Sequence, residues 1–178
     1  MAVHAPNATR RYWLDYTVHG RQHSTMFRTS EIFSPANFGS TMNSILNMLD
    51  ALLYPITVVQ CRTSALGSDF STPVTTGIEG NVYGTGTPVS EMDDPQFLSF
   101  VGRSTGGTRV RATFFGLVAL DNNFRLSPAE ASAVGDVADA LNLADGFGYA
   151  ADNLSATWQR YANVGSNAYW QRKIRRSG

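Results

Sequence analysis

The sequence predicts an α+β domain: a single antiparallel or mixed sheet of about five strands, with an early amphipathic helix and C-terminal helices packed on one face. Three observations lead there. Residues 10–28, 56–63 and 97–120 read as strands, mostly alternating polar with apolar. Residues 34–54 and 127–141 instead place apolar residues three and four apart, the helical period. Turn-forming Gly, Ser, Asn and Pro residues separate these segments.

Residues 1–9 read as an N-terminal arm, and 10–167 as the α+β body. In Arg10 to Arg28, Tyr12, Leu14, Tyr16 and Val18 share one face, and His19-Gly20-Arg21 makes the turn of a first hairpin. Ser34 then supplies an N-cap and Pro35 the first helical position. Phe38, Met42, Ile45, Leu46, Leu49, Leu52 and Leu53 form one apolar stripe, ending near Tyr54-Pro55, that suits a helix laid over the sheet.

Ile56 to Thr63 is the next strand, with Cys61 in its apolar pattern as a small buried side chain. Residues 64–95 lack periodicity and are rich in Gly, Thr, Ser and Pro, which reads either as an extended binding loop or as short strands joined by turns. Phe97 to Gly102 and Arg109 to Leu120 form a second hairpin through Ser104-Thr105-Gly106-Gly107. Arg109, Arg111 and Thr113 alternate with Val110, Ala112 and Phe114 before an apolar run to Leu120, so this strand is expected mid-sheet. Ser127-Pro128-Ala129-Glu130 opens a further helix with a capping box, continued by the small stripe Ala131, Val134, Ala138 and Leu141. Ala150 to Tyr161 reads as a last, weaker helix. Residues 168–178 form a basic, aromatic C-terminal tail. No internal repeat of convincing length is visible.

A chain of 178 residues fits one domain, and its 43% hydrophobic and 16% charged content is that of a folded protein. Fourteen basic and fourteen acidic residues cancel, so bulk charge predicts neither a nucleic-acid nor a membrane partner. Every basic residue except Lys173 is arginine, a bias that interfaces and a GC-rich genome both produce. The lone cysteine excludes an internal disulfide and a multi-cysteine zinc site. No apolar h-region opens the chain and no apolar run reaches about eighteen residues, so neither Sec export nor membrane insertion is expected.

Motifs for chemistry are sparse. His19 and His23 are four apart but belong to a hairpin, and His4 lies in the arm, so no metal site is expected. Glu91, Asp93 and Asp94 lack the spacing of a calcium loop and read as a solvated turn. No Gly-x-Ser-x-Gly elbow occurs. Gly77 to Gly86 is glycine-rich without the Gly-Lys-Ser/Thr of a phosphate loop, and turns account for it. Phe114 and Phe115 are adjacent, so they cannot make the one-sided stacking platform of an RNA-recognition motif. Neither a cofactor nor a small-molecule substrate is expected.

In the tail, Tyr169 and Trp170 stand beside Arg172, Lys173, Arg175 and Arg176. These residues suit phosphate and single-strand contacts, anchoring of the C-terminus on the core, or docking on a neighbouring subunit. In overall style, an N-terminal arm, a hairpin–helix–sheet body, a Gly/Thr/Ser-rich loop, few charges and a basic aromatic tail resemble the small structural proteins of viral and phage particles. That resemblance implies a non-enzymatic virion subunit, a capsid or tail component that self-associates with copies of itself and other particle proteins. The element order departs from a jelly roll and from a coat protein with a sheet followed by two helices. Two alternatives stand beside it: a nucleic-acid-binding module using the basic tail, and an enzyme whose site in the 64–95 loop brings Glu79, Glu91 or Asp93 to a histidine.

Overall fold

The computed structural model describes residues 9–86, 96–103, 109–117, 128–141, 155–160 and 170–175. Among these residues the protein is mixed α/β, with antiparallel strands and two α-helices. The first hairpin, β1 (Arg10–Val18) and β2 (Arg21–Thr29), turns on His19 and Gly20, with φ of 49° and 72°. Two consecutive positive φ angles give the twist that matches the flanking strands, and glycine adopts the second without strain. Tyr12, Leu14, Tyr16 and Val18 are all buried, so the face read from the alternation is the core face.

Helix α1 (Pro35–Met48) begins as predicted: the Ser34 side chain accepts the Asn37 amide at 3.2 Å. It is shorter than the apolar stripe. After Met48 the chain tightens into a 3-10 turn at Asp50–Leu52, and Leu53 is extended; Leu49, Leu52 and Leu53 remain buried through the turn. Phe38 on α1 stacks on Tyr12 with ring centres 4.5 Å apart and meets Phe27 edge-on at 5.7 Å. These contacts seat the helix on the hairpin's apolar face.

β3 (Ile56–Ala65) pairs with β1 on the side away from β2. Val59 has no partner where the register shifts between Asp15 and Tyr16. This bulge lets Val58 and Cys61, three residues apart, both reach the core. Two short strands, β4 (Thr72–Val74) and β5 (Val82–Tyr83), also pair with β3 and complete a five-stranded sheet. Of the two readings of residues 64–95, short strands joined by turns describe those up to 86; residues 87–95, with Glu91, Asp93 and Asp94, lie outside the described residues.

The second hairpin is β6 (Gln96–Arg103) and β7 (Arg109–Leu117), followed by α2 (Pro128–Leu141). The predicted last helix is corrected here. The segment read as a weak helix over Ala150 to Tyr161 holds strand β8 (Ser155–Arg160), paired along its length with β6. The ladder to β6 outweighs the modest helical pattern. The basic tail holds strand β9 (Trp170–Arg175), paired with β8, while Tyr169 and Arg176 lie outside the described residues. These four strands form a second sheet in the order β7-β6-β8-β9. The predicted single sheet is therefore two, and β7 ends its sheet's order instead of lying within it. At the other side of β7 lies β2. There Thr25 Oγ1 donates to the Thr113 carbonyl at 2.5 Å, and Phe27 and Phe114 have ring centres 5.7 Å apart.

A repeat invisible in the sequence appears in the topology. β1-β2-α1-β3-β4 and β6-β7-α2-β8-β9 share one plan: a hairpin, a 14-residue helix, a strand antiparallel to the hairpin's first strand, and a further antiparallel strand. Both helices open at a Ser-Pro-Ala triplet, 34–36 and 127–129. The two halves share one core, in which Leu98, Phe100, Ala112, Phe114, Val134, Val137 and Leu141 join the first half's apolar residues.

Candidate interaction face

Strand alternation that buries Tyr12, Leu14 and Tyr16 turns Arg11, Trp13, Asp15 and Thr17 to the opposite side of the first sheet. Pairing sets Met26 and Arg62 on either side of Trp13, and Arg28 directly opposite Arg11. The guanidinium carbons of Arg11 and Arg62 each lie 5.4 Å from the Trp13 ring centre, within cation–π range.

Arg62 is held in place. Its Nε and Nη2 donate to the two Asp15 carboxylate oxygens at 2.5 and 2.9 Å, and its Nη1 donates to Ser71 Oγ at 2.8 Å. Ser24 Oγ donates to Asp15 at 2.6 Å. Burial pushes the Asp15 carboxyl up, but the hydrogen bonds from Arg62 and Ser24 and the Arg62 charge outweigh it, so its pKa lies below the ordinary carboxylate value. Arg11 donates to the Ser68 carbonyl. The β3–β4 turn is thereby drawn against this face, and Phe70 at its tip is 83% exposed.

The register extends the pattern to the second sheet. Arg111, Val101, Ser155 and Arg175 form one cross-strand row; Thr113, Ser99, Thr157 and Lys173 form the next. Arg103 pairs with Arg109. Of the residues predicted as contacts, Lys173 and Arg175 thus share rows with Ser99 and Val101, whereas Arg172 shares a row with Trp158 and the buried Leu98, and Trp170 pairs with Arg160. The strand therefore divides the expected cluster between alternating rows.

Of the residues expected to serve an enzyme, Glu91 and Asp93 lie outside the described residues, and Glu79 is held locally. The Glu79 carboxylate accepts the Thr76 amide, the Thr76 hydroxyl and the Gly77 amide at 2.7 to 2.9 Å; burial raises its pKa, and these bonds outweigh that and lower it. Glu79 closes a turn. Cys61 is buried, accepts a hydrogen bond from Thr76 Oγ1 at 3.3 Å, and has its thiol pKa pushed up by burial to about 11, so it is a packed side chain and a poor nucleophile. His23 stacks on Tyr16, and His19 meets Tyr54 edge-on. Among the described residues no three His, Cys, Asp or Glu side chains group as metal ligands.

The Arg11–Trp13–Arg62 cluster is assembled across the β1–β3 ladder from residues some fifty positions apart, so no contiguous pattern marks all of it. The interleaved Arg-x-Trp-x-Asp was the available signal. Comparison of the chain with protein-family models, curated proteins and solved structures returns no match in any of the three.

Proposed function

We propose that the chain is a non-enzymatic structural protein that self-associates into a viral or phage particle, as a capsid or tail component. The observation that carries this reading is Phe70. It is 83% exposed at the tip of the β3–β4 hairpin, on the outer edge of the first sheet, with the exposed Leu66 on the same turn. An ordered hairpin that holds a phenylalanine in water suits a neighbour's pocket; burying such a side chain contributes about 2–3 kcal/mol. Sheet edges support the same reading. Among the described ladders β9 pairs only with β8, and β4 and β5 pair only with β3, so these strands end the described sheets, where a further strand could add. Within the chain the two halves already meet edge against edge at β2 and β7, and contacts of that kind between chains would extend the array. In this reading α1 and α2, which touch each other, cover one side of both sheets. Among the described residues no helix is long and apolar enough to cross a membrane.

Light scattering at physiological and high salt, with the 260/280 absorbance ratio recorded on the same peak, tests the proposal. A large defined assembly is expected, and Phe70→Ser should reduce it without lowering the melting temperature. A wild-type protein that stays monomeric at all concentrations, or a variant that assembles as well as wild type, would refute it.

A further inference from the structure

We infer that the strands present a binding surface for single-stranded nucleic acid, contacted through its phosphates and bases without sequence readout. The carrying observation is how charge is distributed. Net charge is zero, yet twelve of the fourteen basic residues, all but Arg125 and Arg176, lie in the nine described strands, whereas Asp15 is the one acid of the fourteen that does. Asp15 is itself occupied by Arg62 and Ser24. By register all of these basic residues except Arg10, Arg21, Arg160 and Arg172 fall on the rows that alternate away from the core, so that side of the sheets is cationic within a neutral chain, and a count of total charge conceals it.

A second observation points to a ligand and away from a purely structural use of these arginines. Each hairpin sets two of them directly opposite one another, Arg11 with Arg28 and Arg103 with Arg109. Like charges in a cross-strand pair destabilise a sheet, and an anion between them removes the repulsion. Phosphates fit paired guanidiniums, and the Arg11–Trp13–Arg62 cluster adds planar groups on which unpaired bases stack. An identical face of another copy would bring guanidinium against guanidinium. The occupant is therefore a flexible polyanion with exposed bases. This surface differs from the C-terminal cluster read in the sequence, since it centres on β1, β2 and β3 and reaches β9 only through the rows of Lys173 and Arg175.

The test uses the full chain carrying Phe70→Ser, so that assembly and binding are read separately, and it stands whether or not the chain assembles. Fluorescein-labelled oligo(dT) and oligo(rU) of about 20 nucleotides are titrated by anisotropy between about 50 and 200 mM salt, with a duplex of equal length and poly-glutamate as competitors. The expected result is binding of both homopolymers, weakening steeply with salt. Arg28→Gln with Arg103→Gln should weaken it about tenfold and reduce the slope of log K against log salt by about 1.4. Arg28→Lys with Arg103→Lys, which keep the charge should the neutral pair misfold, should retain the slope. No binding, binding that ignores salt, an unchanged slope in a folded neutral pair, or a lost slope in the lysine pair would overturn the inference. Equal competition by poly-glutamate would also overturn it, in favour of an acidic polypeptide.

Discussion

Two glycines in the helices allow the same substitution to be read with opposite signs. Gly39 lies in the first turns of α1, where a Cβ would stand 2.0 Å from the Thr76 carbonyl oxygen and 2.8 Å from its carbon. Gly135 lies in α2, and a Cβ there would meet nothing among the described residues within 4 Å. Alanine gains about 1 kcal/mol over glycine in a helix interior. At Gly135 that gain is unopposed, so Gly135→Ala should raise the melting temperature by roughly 2–4 °C for a chain of this size. At Gly39 the obstacle is a backbone carbonyl, which cannot rotate away as a side chain would. Overpacking then costs about 3 kcal/mol, near the top of its usual range, leaving a net loss of about 2 kcal/mol. Gly39→Ala should therefore lower the melting temperature by roughly 4–8 °C. Thermal and urea unfolding followed by far-UV circular dichroism measure both. A Gly39→Ala protein as stable as wild type would show that the Thr76 segment does not lie against α1.

Asp15→Asn removes the charge that Arg62 pairs with, and with Arg62 29% exposed the expected cost is about 1–2 kcal/mol. Because the folded pKa of Asp15 is depressed, its contribution is present above the unfolded value and is lost as pH falls through the folded one, below about pH 4. The variant should consequently lose stability less steeply in acid than wild type, while Glu79, depressed in the same direction, keeps part of the slope; parallel acid limbs would refute the pairing. Cys61, buried with its thiol pKa pushed up to about 11, should resist thiol reagents in the native protein and react only on unfolding, and rapid native labelling would contradict its place in the core.

Local patterns were legible where one physical cause dominates. Tyr12, Leu14, Tyr16 and Val18 alternate because one side of β1 is buried, and the His19-Gly20 turn follows from the φ values a two-residue hairpin requires. The start of α1 was readable because Ser34 and Pro35 act within one turn of the chain. Segments decided by distant partners were not. Ala150 to Tyr161 has a weak helical pattern, but Ser155–Arg160 gains a ladder with β6, some sixty residues earlier in the chain. The candidate face was half legible: Trp170 to Arg175 stands out in the sequence because aromatic and basic residues are contiguous there, whereas Arg11, Trp13, Arg28 and Arg62 are scattered along the chain and meet only across ladders.

By itself the amino-acid order determined the mixed helix-and-strand character, both hairpins, the two Ser-Pro helix starts and the burial of Cys61, because each depends on periodicity or on a few adjacent residues. Tertiary structure alone decided that the strands divide into two sheets, that the two halves repeat one topology and meet at β2 and β7, and that Arg160 and the basic residues of Trp170–Arg175 lie in strands. Those features are set by cross-strand register, and register joins residues whose separation along the chain leaves no local pattern.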